Sequence, residues 1–211
     1  MTADDSVAVP DGVAELALRY RRLERPVSGA VALLVGVVGV VSLALLPLPR
    51  GVLVVAVLVV AVRAPVVRRR GRLVLATEMP PDAVAVDLGS ATPPVLPFRW
   101  GVADTVRRTP DGGRYEFSYL FGLGSVTMET AFRRRENGGE LVVTAADRPW
   151  ATYDVTTRRE DGRTVVDVEL TSDRRFGLRR LPEWLVAERY LAAALETQGY
   201  TVLERERSVG P

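Results

Sequence analysis

The stretch VSGAVALLVGVVGVVSLALLPLPRGVLVVAVLVVAVRAPVV, residues 27–67, consists of two apolar runs separated by Pro47-Leu48-Pro49-Arg50. The first run, Val27 to Leu46, is twenty residues without a charge. As a helix it measures about 30 Å, the thickness of a bilayer's hydrocarbon core, and it reads as a transmembrane helix. The second run, Gly51 to Val62, reaches only about 18 Å alone. It spans only if the helix continues through Arg63 to Val67, with Arg63 snorkelling toward the headgroups and Pro65 in the last turn. The alternative is a buried helical hairpin, but core helices rarely stay apolar on every side for this long. A cleaved signal peptide fits poorly, because the residues before Val27 are mostly polar.

The flanks orient the hairpin. Arg19, Arg21, Arg22 and Arg25 precede it and Arg68, Arg69, Arg70 and Arg72 follow it, while the turn holds only Arg50. The positive-inside rule then places both termini in the cytoplasm and predicts a two-span cell-membrane protein. Ala32 and Gly36, with Gly29 and Gly39 nearby, permit close helix contact, read here as packing within the hairpin.

Composition removes whole classes of chemistry. The 211 residues include no His and no Cys, and all 28 basic residues are Arg. That excludes zinc fingers, thiolate nucleophiles, Ser-His-Asp triads, Walker A lysines and Schiff-base lysines. No catalytic residue, metal ligand or cofactor is assigned. Residues 1–72 carry ten Arg against five acids, whereas residues 73–211 carry eighteen Arg against twenty-one. The basic excess therefore belongs to the flanks of the apolar runs, which argues against a nucleic-acid partner.

Outward from the hairpin, residues 1–26 form a polar tail followed, from Asp11, by a helical pattern of Val13, Leu16, Ala17, Tyr20 and Leu23. This is either an interfacial amphipathic helix or a solvated one. On the other side, residues 73–211 read as one domain. Leu73 to Thr77 is a short strand, Met79 to Leu88 a Pro-led short helix, and Ala91 to Pro97 a Pro-rich connection. Asp111-Gly112-Gly113, Asn137-Gly138-Gly139 and Asp161-Gly162 are turn signals between strand-like segments, the mark of consecutive antiparallel hairpins. Tyr115, Phe117, Tyr119 and Phe121 share one strand face, as do Val126, Met128, Thr130 and Phe132. Leu141 to Thr144, Tyr153 to Thr157 and Val165 to Leu170 supply further strands. Pro182 to Gln198 is a helix stopped by Gly199, with Trp184, Ala187, Leu191, Ala194 and Leu195 on the side that would cover the sheet.

This order of elements, from Leu73 to Thr77 through Met79 to Leu88, the strands up to Leu170 and the helix Pro182 to Gln198, resembles the SRPBCC superfamily, the START-like or Bet v 1-like helix-grip fold. The expected fold class is thus α+β: an N-terminal transmembrane hairpin over 27–67, then a START-like domain over 73–211 with a curved antiparallel sheet and a long C-terminal helix. The resemblance implies a hydrophobic cavity between sheet and helix, since members bind lipids, sterols, polyketides or other apolar ligands and some are cyclases or hydrolases.

Tyr115, Phe117, Tyr119, Phe121, Trp150, Tyr153, Trp184 and Leu191 are the candidate ligand-binding residues. Plain core packing beneath the terminal helix is the preferred reading of the aromatic stripe, since large apolar residues on one sheet face are the default. Arg68, Arg69, Arg70, Arg72, Arg174, Arg175, Arg179 and Arg180 are candidates for contact with an anionic membrane surface. For the last four, neutralisation by Asp173, Glu183 and Glu188 is the competing reading. Gly122-Leu123-Gly124 lacks the third glycine and the strand-to-helix context of a phosphate loop. The alternation places Glu116 and Glu129 opposite the apolar residues and so in solvent. The expected function is a membrane-anchored binding domain for an apolar or lipid-like ligand, its partners being the bilayer, a hydrophobic small molecule and a membrane protein. The alternatives are an interaction protein with a filled core and an exposed apolar patch, or a cyclase- or hydrolase-type enzyme using Tyr or a carboxylate.

Overall fold

The computed structural model describes residues 7, 12, 16, 29, 33–63, 68–119, 123–172 and 190–210. In chain order these contain helix α1 over 33–45, helix α2 Leu48–Arg63, strand β1 Arg68–Thr77, helices α3 Pro81–Leu88 and α4 Pro97–Trp100, and strands β2 Thr105–Thr109 and β3 Gly112–Tyr119. They continue with β4 Gly124–Arg135, β5 Gly138–Ala145, β6 Arg148–Glu160, β7 Arg163–Ser172, helix α5 over 190–196 and β8 Thr201–Gly210.

The eight strands form one sheet in the order β2-β3-β4-β5-β6-β7-β1-β8, every neighbouring pair antiparallel. Short turns set the registers. Asp161 and Gly162, both at positive φ, join β6 to β7 in the manner of a two-residue hairpin turn whose twist matches that of the strands. Ala146 and Asp147 do the same between β5 and β6 at φ 50° and 55°, without a glycine. Gly138 sits at φ +134° after the β4–β5 turn, and a Cβ there would lie 2.0 Å from the Val155 carbonyl oxygen of the neighbouring strand. Only glycine fits that position.

One face of the sheet is apolar because side chains alternate along each strand. Leu75, Tyr115, Met128, Leu141, Val143, Tyr153, Val155, Val166 and Val168 point into a core closed by Val84 and Leu88 of α3, Leu96, Trp100 of α4, Leu195 of α5 and Tyr200. Trp100 and Tyr115 are fully buried. Pro81 opens α3, where its missing N–H leaves no vacancy in the helix ladder, and α3 lies against β5 and β6. The opposite face carries cross-strand ion pairs such as Arg114–Glu129 and Arg135 with Glu140 and Asp154.

Three expectations change. No helix among the described residues is long and apolar enough to cross a membrane. At about 1.5 Å per residue, the 16 residues of α2 reach about 24 Å, against the roughly 30 Å of a bilayer core. The transmembrane hairpin, the two-span cell-membrane location with both termini cytoplasmic, and the fold class that began with them are therefore not supported; the architecture is an eight-stranded antiparallel sheet with few helices. The continuation of the second run to Val67 lies outside the described residues. Next, the Arg cluster is part of the sheet: Arg68, Arg69, Arg70 and Arg72 lie in β1, paired to β8 and, from Arg70 on, to β7. Finally, Thr201–Gly210, to which the sequence assigned no element, is a strand. The expected helix Pro182 to Gln198 is described only over its last turns, and Trp184 and Ala187 lie outside the described residues.

Candidate functional site

Two regions invite a functional reading: the apolar face of the sheet and the apolar hairpin. On the sheet, the expected stripe along β3 is graded rather than uniform. Tyr115 is fully buried, Phe117 half-buried and Tyr119 half-exposed, as β3 runs outward from the core. Tyr119 stands opposite Gly124, and its ring occupies the space a Cβ at Gly124 would need. Phe121 lies outside the described residues. Tyr153 is buried, and Trp150 and Leu191 pack half-buried against the same core. The Arg99 guanidinium sits 4.7 Å from the centre of the Trp150 ring, a cation–π contact between α4 and β6.

The polar atoms within this core are occupied by one another. The Tyr115 hydroxyl lies 3.3 Å from Thr130 Oγ1, which accepts the Gly113 N–H at 2.9 Å. Burial pushes the Tyr115 pKa up to about 12, against the small opposing effect of that hydrogen bond. Trp100 Nε1–H donates to the Pro93 carbonyl at 2.9 Å. Tyr200 donates its hydroxyl to Asp87 Oδ2 at 2.7 Å, tying the start of β8 to the end of α3. Burial raises the Asp87 carboxyl above its ordinary range, and the Tyr200 hydrogen bond offsets part of that rise. The Tyr200 hydroxyl is itself raised, first by burial and then by the Asp87 charge. Sequence reasoning missed this pair; its only signal was an acidic residue on the last turn of a short helix otherwise reading as amphipathic.

The candidate arginines separate. Arg72 forms a bidentate ion pair with Asp167 on β7, whose hydrogen bond and charge raise the guanidinium pKa further. Arg70 is exposed beside it, and both line a shallow, solvent-open cleft of about 530 Å³ with Glu169, Thr171 and Glu206. For Arg68 and Arg69 the backbone pairing alone is described. Arg174, Arg175, Arg179 and Arg180 lie outside the described residues. A second open cleft, about 470 Å³, lies at the end of the sheet between Thr77, Glu78, Arg163, Glu196, Gln198 and Tyr200. Among the carboxylates near the aromatic strands, Asp104 accepts the Ser118 N–H at 2.5 Å, Glu129 pairs with Arg114, and Asp154 with Arg135.

The hairpin is built by Pro47, which ends α1, and by Pro49 in the first turn of α2, where proline is tolerated. Gly51 approaches α1 so closely that a Cβ there would meet the Ser42 carbonyl at 2.9 Å; Gly39 faces Val55 across the same seam. Away from that seam the helices are bare. Leu33, Val37 and Val40 are 69%, 49% and 68% exposed, and Leu53, Val57 and Val60 are 63%, 58% and 65% exposed. Helix α2 makes no extensive contact with the sheet or with α3 and α4.

No protein-family model matches the chain, and no curated protein matches it. Among solved structures the chain is similar to DR_A0006 from Deinococcus radiodurans, with 18% identity, covering 61% of this chain and 96% of that one at a TM-score of 0.38. Likeness at that level assigns neither fold nor function.

Proposed function

We propose that the protein is an interaction protein: a sheet domain with a packed core that carries the α1–α2 hairpin as its docking element. The observation that carries this reading is the exposure of large apolar side chains along both helices, with Arg50 the single charge between residues 33 and 62. Contiguous apolar surface of this size is unfavourable in water and marks a site that something else covers. Sedimentation velocity of the full chain in detergent-free buffer tests it. The wild-type chain sediments as an assembly larger than one chain, and Leu53→Glu with Val57→Glu reduces it to a monomer without moving the unfolding transition of the sheet. A monomeric wild type would remove the reading.

A second reading, an apolar ligand held between sheet and terminal helix as in the START-like fold, is favoured by one observation: Phe117, Trp150 and Leu191 pack against the core yet stay half-buried. Mass spectrometry of organic extracts from the purified full chain, beside a mock purification, tests it. A stoichiometric apolar compound absent from the mock supports it, and an empty protein does not.

A further inference from the structure

Strand β2 stands at one end of the sheet order, with β3 on its inner side. The Val106 carbonyl turns to the outer side, where it accepts the Val7 N–H at 2.9 Å from far upstream in the chain. Alternate residues of an antiparallel strand turn their backbone groups to the same side, so the N–H and C=O of Arg108 face outward with those of Val106. The Val7 side chain packs half-buried against the hydrophobic core, beside the same edge. Farther along, a Cβ at Gly12 would lie 3.8 Å from Thr197 Cγ2, an ordinary contact distance, so the chain is still against the domain there. The sequence around the contact, Ser6-Val7-Ala8-Val9, is short and uncharged, with β-branched valine at alternate positions.

We propose that the outer edge of β2 is a strand-acceptor site for an extended polypeptide segment carrying a valine, and that the segment around Val7 of this chain is its resident ligand. Both parts of such a site are present: an outward backbone acceptor that fixes the added strand, and a place on the core that takes one small apolar side chain. The donor must be a residue with a backbone N–H, which excludes proline at the central position. A sheet edge left bare offers its N–H and C=O groups to any extended chain, and the segment around Val7 closes this one in cis. Among the described residues that closure consists of one hydrogen bond and one half-buried valine on β2, few enough contacts to belong to the readily opened part of the molecule. Tethering keeps the segment in place, and a segment of the same chemistry supplied in trans enters when the resident one leaves. The inference is independent of the hairpin reading above.

The test is fluorescence anisotropy of a labelled peptide of residues 2–10 with the full chain, wild type and Val7→Asp, the aspartate being unfit for the place on the core. The peptide is expected to bind Val7→Asp at least roughly tenfold tighter than the wild type, whose site is already filled. The same peptide with Val7→Pro, lacking the N–H, is expected to bind neither chain. Equal affinity for the two chains, no binding to Val7→Asp, or binding of the proline peptide to Val7→Asp would each overturn the acceptor site. Hydrogen exchange of the wild-type chain is the second measurement and needs no variant. The Val7 amide is expected to exchange more slowly than a free peptide amide, and exchange at the free rate would overturn the resident strand.

Discussion

At the scale of single residues, Asp87 and Tyr200 make the most specific claim about pH. Burial holds the Asp87 pKa above its ordinary value of 3.8, so the folded chain binds that proton more tightly than the unfolded one. The stability contributed by the neutral carboxyl is fully present below that ordinary value and is lost as pH rises through the folded value. Asp87→Asn keeps an acceptor for the Tyr200 hydroxyl without the charge. Urea unfolding from about pH 4 to about pH 7 is expected to show the wild type losing stability relative to Asp87→Asn as pH increases; parallel profiles would contradict the assignment. Glycines give a second, steric prediction. Gly138→Ala meets both a positive φ and the Val155 carbonyl, and should cost at least about 2 kcal/mol by thermal or chemical denaturation. Gly162→Ala, with open space around it, should cost only about 1 kcal/mol. The glycines were legible because Asn137-Gly138-Gly139 and Asp161-Gly162 are turn chemistry in any context. Ala146-Asp147 was not, since a positive φ at alanine is imposed by the pairing of β5 with β6 and leaves no residue-type signal.

At the scale of elements, α4 is four residues long yet anchors the end of the core. Trp100 is fully buried and its indole N–H is bonded to Pro93. Trp100→Ala is expected to destabilise the domain by about 3–5 kcal/mol, read as a lower urea midpoint; a change under about 1 kcal/mol would show that the helix is dispensable. Strand β8 is the other decisive element. It covers β1 along its length, with a bulge between Val74 and Leu75 where Leu203 is the extra residue. Glu204 and Glu206 alternate with Arg205 and Arg207 along it, a charged edge of the kind that discourages pairing with further strands. Ending the chain at Gly199 should bare β1 and produce concentration-dependent aggregation by light scattering, whereas a monodisperse truncated chain would count against β8 as an edge cover. This strand was hard to read because its alternation is between charges of opposite sign, with apolar residues only at Val202, Leu203 and Val209. The Arg68 to Arg72 cluster misled for a related reason. Arginines after an apolar run look like a membrane flank, yet Arg72 is ion-paired with Asp167, ninety-five residues away, and only the fold supplies that partner.

At the scale of the whole molecule, the sheet and the hairpin obey different rules. The sheet buries its apolar face against its own helices, while the hairpin leaves its apolar face outward. Continuous apolar composition over residues 27–67 is what made a bilayer the natural reading, and it is not supported because no helix among the described residues is long and apolar enough to cross one. Composition reports that a surface avoids water, and geometry decides what can cover it. The stripe from Tyr115 to Phe121 shows the same limit in reverse. Alternation placed Tyr115 on the inner face, but where β3 leaves the core, and hence why Tyr119 is half-exposed, depends on the lengths of neighbouring strands and on the pairing of Tyr119 with Gly124.

The central claim is that the hairpin is covered when the protein is in solution. The chain contains no cysteine, so Val57→Cys can be labelled alone with an environment-sensitive fluorophore, with Leu123→Cys, 89% exposed, as the reference. In detergent-free buffer the account predicts blue-shifted, quencher-protected emission from position 57 and water-like emission from position 123. Emission from position 57 as water-like and as readily quenched as that from position 123 would contradict it.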